Sequence, residues 1–248
     1  MTLSMGVEGS MIALGAATAA AALVAGALVA GARGRSSVRL PSRPEILLFG
    51  DSITQQSFAS DGWGRGLAEL YQRTADVKLR GYSGYNTRWA LRLLPMLFPP
   101  RQGTTPALVT VLLGANDANK PPPLNQQPLD ASRQYVPIDE YMTNLKTILA
   151  TIRKTGDGGA RILLISPPPL DEDAWAGWCE ARYGVPKGAE SNRDHATTAA
   201  YAAACVRVGA ETGIPTLDLH SELLAQDDWK ALLGDGLHPN AKGGEAIF

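Results

Sequence analysis

The sequence predicts an α/β domain in which a parallel sheet is covered by helices on both faces. Two observations carry this expectation. Short apolar runs closed by Gly or Pro recur along the chain, as buried parallel strands require. Between them lie stretches whose apolar residues return at helical spacing.

In chain order, the first strand is expected over Glu45–Phe49, after the Pro41-Ser42-Arg43-Pro44 punctuation and before Gly50. Trp63, Leu67, Leu70 and Tyr71 predict a helix, and Val77–Arg80 a strand ending at Gly81. Trp89, Leu93, Leu94 and Leu97 predict a second helix, stopped near Pro99-Pro100. Ala107–Leu113 is the strongest strand signal and is closed by Gly114. A Pro-, Asn- and Gln-rich loop between Asn119 and Val136 is long for a compact domain. Ile138, Met142, Leu145, Ile148, Leu149 and Ile152 then trace one helical stripe, ended by Gly156 and Gly158-Gly159. Arg161–Ile165 is the next strand. Pro167-Pro168-Pro169 breaks the chain into a second long loop, expected to hold Trp175 and Trp178. An Ala-rich helix is expected from Asp194 to Thr212, a last strand over Ile214–Leu219, and a further helix from Glu222 to Leu233.

The chain has 248 residues, which leaves room for one catalytic domain, expected over 45–248. Residues 1–44 are expected to be an N-terminal hydrophobic anchor or targeting segment plus a basic linker. The stretch 11–32 has no charged residue and is just long enough to span a bilayer. Arg33, Arg35, Arg39 and Arg43 follow, so an anchor would leave the domain cytoplasmic. A cleaved signal peptide, an organellar transit sequence or an Ala-rich tail are the competing readings. A formal net charge of -1 gives no basic excess for nucleic acid and fits a neutral small molecule. Cys179 and Cys205 read as two ordinary thiols, with a single disulfide as the alternative; their spacing makes no zinc site. The sequence sets no oligomeric state.

In folds of this class chemistry gathers at the carboxyl ends of the strands. Ser52 lies there, in Phe49-Gly50-Asp51-Ser52, where a tight turn would expose its hydroxyl. A serine needs a base to become a nucleophile. Taken alone, Gly-Asp-Ser reads more readily as a turn and helix cap. His238 stands three residues after Asp235, so that one loop can present both side chains together. Asp235 starting a turn is the plainer alternative. His220, two residues after Asp218, is the rival base, and His195 within a helical pattern reads as structural. Donors to an oxyanion are available from the Gly84 backbone N–H and the Asn116 side-chain amide, each an ordinary loop residue by itself.

The four segments around Ser52, Gly84, Asn116 and His238, in this order, resemble the SGNH (GDSL-type) hydrolase family from Glu45 to Phe248. The strings Leu48–Gln55, Arg80–Leu91 and Leu113–Ala118 are similar to the branch that hydrolyses isoamyl acetate. The resemblance implies a flavodoxin-type three-layer α/β/α sandwich and a serine esterase acting on short acyl, acetate-type esters. It implies Ser52 as nucleophile, Asp235 and His238 completing the triad, and Ser52 N–H, Gly84 N–H and Asn116 as oxyanion donors. No metal or organic cofactor is then needed. Trp175, Trp178 and the loop from Lys120 to Pro137 could wall the substrate pocket. A deacetylase of an acetylated sugar or metabolite would use the same triad, and a membrane-tethered binding protein would keep the fold without turnover. Residues Gly243–Phe248 read as a closing helix that stops early compared with the family.

Overall fold

The computed structural model describes residues 43–99, 105–120, 133–156, 159–186 and 191–248. The segment 11–32, where an anchor is expected, and most of the Lys120–Pro137 loop lie outside the described residues. Among the described residues no helix is long and apolar enough to cross a membrane.

Five parallel strands form the central sheet: β1 Glu45–Gly50, β2 Asp76–Gly81, β3 Leu108–Leu112, β4 Arg161–Ile165 and β5 Thr216–Leu217. Their order is β2-β1-β3-β4-β5. Alternate residues of one strand supply different cores, because successive side chains point to opposite faces. Leu47 and Phe49 of β1 join Val109 and Val111 of β3 and Leu164 of β4 on one face. Ile46 and Leu48 join Leu108, Leu112 and Ile165 on the other. A strand apolar at both parities must be covered twice, and the helices do so.

The chain order of helices is α1 Ser52–Gln55, α2 Trp63–Leu70, α3 Thr87–Leu97, α4 Ile138–Arg153, α5 Glu172–Tyr183, α6 His195–Thr212, α7 Leu219–Leu224 and α8 Ala241–Ile247. Helices α3, α4 and α6 bury Leu94, Leu145, Ile148, Cys205 and Val208 against the Phe49 face. Trp63, Trp175 and Leu223, from α2, α5 and α7, cover the Leu48 face. The three-layer architecture thus follows from the doubled apolar parity of the strands.

Two expected elements are corrected. The segment with Trp175 and Trp178 is helix α5, not a loop. Asp171 caps it by accepting from Asp173 N (3.2 Å), and Trp175 and Cys179, one turn apart, seat it on the sheet. Gly184, at φ 69°, ends it. The single helix expected over Glu222–Leu233 is instead α7 followed by a separate 3-10 turn, Trp229–Leu232. Asp218 caps α7, its carboxylate accepting from Ser221 N (3.3 Å) and Ser221 Oγ (2.6 Å). That early cap takes Leu219 into the helix and leaves only two residues to β5. Cys179 and Cys205 are both buried free thiols.

Candidate active site

Strand β1 delivers Ser52 to the point where the strand order reverses, between β1 and β3, the usual position of a binding crevice in such sheets. Gly50 makes the sharp exit possible. A Cβ there would lie 2.4 Å from the Leu112 carbonyl oxygen and 2.2 Å from Thr54 Oγ1, so no other residue fits. Asp51 then caps α1, its Oδ1 accepting from Ile53 N (3.0 Å), and Ser52 is the first helical residue.

His238 reaches Ser52 from the far end of the chain. Its Nε2 lies 2.8 Å from Ser52 Oγ, and its Nδ1 lies 2.7 Å from Asp235 Oδ2. The loop carrying both is closed at its neck by a bridge between Leu233 and Pro239 and by Gly234 N donating to His238 O (2.8 Å). Asp235 Oδ1 accepts from Leu237 N (2.9 Å) and His238 N (2.7 Å). Burial pushes the Asp235 carboxyl up, but hydrogen bonds from His238, its charge and the two backbone N–H groups outweigh this and hold it below the ordinary range. An ionised Asp235 can only accept, so Nδ1 carries the hydrogen and Nε2 is left to accept from Ser52.

The other two histidines lie elsewhere. His220 is buried on α7, its backbone N bonded to Ser166 Oγ (3.1 Å) and its ring 5.6 Å from that of His195. Neither lines the cavity that opens at Ser52.

Gly84 and Asn116 stand beside Ser52 at the ends of β2 and β3. Gly84 has φ +79°, a left-handed conformation that glycine adopts without strain. Asn116 Nδ2 donates to the carbonyl of Tyr85 (2.9 Å), the residue after Gly84, so the two loops are tied together. Asn86 caps α3 by accepting from Trp89 N (3.0 Å) and ties this loop to the next segment through Arg133 O and Gln134 O.

Ser52, Gly84, Asn116 and His238 line one cavity of about 410 Å³. Trp175 and Trp178 also line it, their rings stacked 5.0 Å apart. Gln134, from the Lys120–Pro137 loop expected to wall the pocket, is in the lining; sequence reasoning missed Trp89, Asn192 and Arg193, which line it as well. Arg193 is the most consequential of these, being 4% exposed, with a guanidinium that donates to Ala115 O and to Asn116 Oδ1. Burial lowers its pKa to about 10, against the opposing charge of Asp51. No spacing or motif distinguishes Ser191-Asn192-Arg193-Asp194 from an ordinary polar turn. Among the described residues no group of His, Cys, Asp or Glu is placed to hold a metal ion.

Two acids under the site are fully buried. Burial raises Asp51 to about 6, and raises Asp117 to about 7 against hydrogen bonds from Thr87. Asp117 accepts from Thr87 N (3.0 Å) and Thr87 Oγ1 and so anchors the start of α3. The unfolded chain releases this proton near the ordinary value of 3.8, the folded chain only near 7. Rising pH therefore favours unfolding across that window, and stability present in acid is lost as pH climbs through about 7. Between pH 5.5 and 8 the thermal midpoint should fall less in Asp117→Asn than in the wild type, by roughly 5 °C. Parallel pH profiles for the two proteins would contradict a protonatable Asp117.

Residues 48–246 match the model of the GDSL-like Lipase/Acylhydrolase family. A GDSL esterase/lipase of Arabidopsis thaliana is 44% identical over 207 residues, covering 83% of this chain and 83% of that protein. The isoamyl acetate-hydrolyzing esterase 1 homolog of Bos taurus is 41% identical over 208 residues, covering 83% of this chain and 78% of its own. Among solved structures, the lipase/acylhydrolase of Enterococcus faecalis superposes with a TM-score of 0.58 at 22% identity, over 82% of this chain and 91% of that one. An acetylxylan esterase of Geobacillus stearothermophilus gives 0.56 at 20% identity, over 83% and 91%. These two structures show a shared fold.

Proposed function

We propose a function from one premise: this chain belongs to the GDSL-like lipase/acylhydrolase family and is a carboxylic ester hydrolase. Its substrates are short-chain acyl esters, acetates first, and Ser52 carries the acyl group. The unbroken line from Asp235 through His238 to Ser52, with hydrogen-bond lengths of 2.7 Å and 2.8 Å, is the observation that carries this reading.

In the proposed cycle His238 Nε2 takes the Ser52 proton as Oγ attacks the ester carbonyl carbon. The carbonyl oxygen becomes an oxyanion held by Ser52 N–H, Gly84 N–H and the Asn116 hydrogen not engaged by Tyr85 O. Asp235 stabilises the imidazolium. That imidazolium protonates the leaving alkoxide, and the alcohol departs. Water then attacks the acyl-enzyme by the same route, giving up its proton to His238, and Ser52 leaves with a proton returned from it.

Acetate selectivity is supported by the 41% identical bovine relative, named for hydrolysis of an acetate ester. Chromogenic acetate, butyrate and octanoate esters test it. We expect kcat/KM to fall at least about tenfold from acetate to octanoate, since each methylene excluded from a pocket forfeits apolar contact. An enzyme that prefers octanoate would reverse the assignment.

A second reading, deacetylation of an acetylated sugar, is favoured by the stacked pair Trp175 and Trp178 facing a cavity that also presents Ser83, Gln134 and Asn192. Trp178, the half-buried member of the pair, can offer apolar surface to a sugar ring while the amides and hydroxyl meet its oxygens. An acetylated xyloside in the same panel separates the two readings. Turnover above that of a simple alkyl acetate would select the sugar.

A further inference from the structure

An amide can serve an oxyanion in only one of its two orientations. With Nδ2 toward Tyr85 O, Asn116 keeps a second N–H for negative charge. Flipped, it would lose the Tyr85 carbonyl and turn an oxygen lone pair on the anion. The two forms have nearly the same shape, so the selection must come from neighbours.

Arg193 supplies it. Its Nη2 donates to Asn116 Oδ1 (3.1 Å) and its Nη1 to Ala115 O. A guanidinium has donors and no acceptor, so a flipped Asn116 would set N–H against N–H. The arginine is itself fixed. Its guanidinium lies 5.2 Å from the centre of the Trp175 ring, and Trp175 Nε1 donates to Asn192 Oδ1 (3.0 Å). Lys120 N donates to Asn192 O (2.7 Å), and Lys120 Nζ pairs with Asp194 (2.9 Å). Residues 192–194 are thereby fastened to the loop that carries Asn116.

We propose that Arg193 is a positioning residue for the oxyanion site: it fixes the orientation of the Asn116 amide and, through its charge on Oδ1, strengthens the Nδ2–H donor. This rests on the esterase mechanism proposed above. A cation at the oxygen end of an amide draws electron density from nitrogen and makes its N–H a better donor. Charge on the substrate oxygen develops in the transition state, so the effect belongs to kcat rather than KM.

The test is a double-mutant cycle on a chromogenic acetate ester, with folding followed by circular dichroism. Asn116→Ala is expected to lower kcat about 10²–10³-fold, the scale of one lost oxyanion donor. Arg193→Met should lower kcat about 10–10²-fold with KM within about threefold of wild type. Added to Asn116→Ala, Arg193→Met should cost no more than about threefold further, because the arginine acts through the amide already removed. Arg193→Lys, which keeps the charge but not the fork, should fall between wild type and Arg193→Met. If Arg193→Met melts below the assay temperature, the same cycle is run with Arg193→Lys.

An undiminished cost of the arginine change in the Asn116→Ala background overturns the proposal. So does a raised KM at unchanged kcat, which would make Arg193 a substrate-binding residue and not one that positions Asn116. A wild-type protein without ester turnover overturns the esterase mechanism itself; wild-type turnover with an additive cycle removes only the role of Arg193.

Discussion

Ser52→Ala is expected to lower turnover of a chromogenic acetate ester by about 10⁴-fold or more while leaving the fold intact. Ser52 is 6% exposed and its Oγ is bonded to His238 Nε2, so the change removes one small polar atom and no packing surface. What remains is a base with no oxygen to deprotonate. The oxyanion donors can still favour attack by water, and a small residual rate is consistent with that. A fluorophosphonate should label the wild type at Ser52 and leave the variant unlabelled, as read by peptide mass spectrometry. Near-wild-type turnover by a correctly folded Ser52→Ala protein would falsify the nucleophile assignment, and labelling at another residue would move it.

The second large effect is expected at Asp235→Asn, about 10³–10⁴-fold in kcat with little change in KM. The reason lies in the two backbone bonds that Asp235 Oδ1 accepts, from Leu237 N and His238 N. An asparagine keeps them only by placing its oxygen there, and its NH₂ then faces His238 Nδ1. That nitrogen must accept, so the hydrogen moves to Nε2, where it points at Ser52 Oγ instead of leaving a lone pair. The geometry survives and the tautomer is wrong. Activity within tenfold of wild type would show that His238 finds its working tautomer without Asp235.

Much of the fold was legible because its signals are local. Strands β1, β3 and β4 stand out as short, mostly apolar runs, and α4 as a stripe of six apolar residues at helical spacing. Helix α5 was not legible, since its apolar residues trace no clear stripe and it follows three prolines that announce irregular chain. Its identity is decided by the Asp171 cap and by Trp175 and Cys179 docking on the sheet, and the docking is a tertiary fact. The short β5 and the early start of α7 turn likewise on one capping carboxylate, Asp218.

At the site the same division holds. Ser52, Gly84, Asn116, Asp235 and His238 could be proposed because each falls at a strand end or in a recognisable string, and the structure brings all five to one cavity except that Asp235 stands behind His238. Arg193 could not. Its importance comes from two acceptors that lie 77 and 78 residues earlier in the chain. The choice between His238 and His220, open on spacing alone, is likewise one of distance in space.

The loop that carries His238 lies 186 residues from Ser52, with four of the five strands between them. Synthesis runs from the serine toward the histidine, at about 5–20 residues per second, so the two halves of the reacting pair emerge roughly 10–40 s apart. During that interval β1 can pair with β2 and β3 while the hydroxyl at its end remains inert. In the proposed mechanism the contact that arms it is among the longest loop closures in the domain, and its closure entropy makes it a late one. On the proposed mechanism, ester hydrolysis reports that β1 and the His238 loop have met, and a chain in which they have not met is silent.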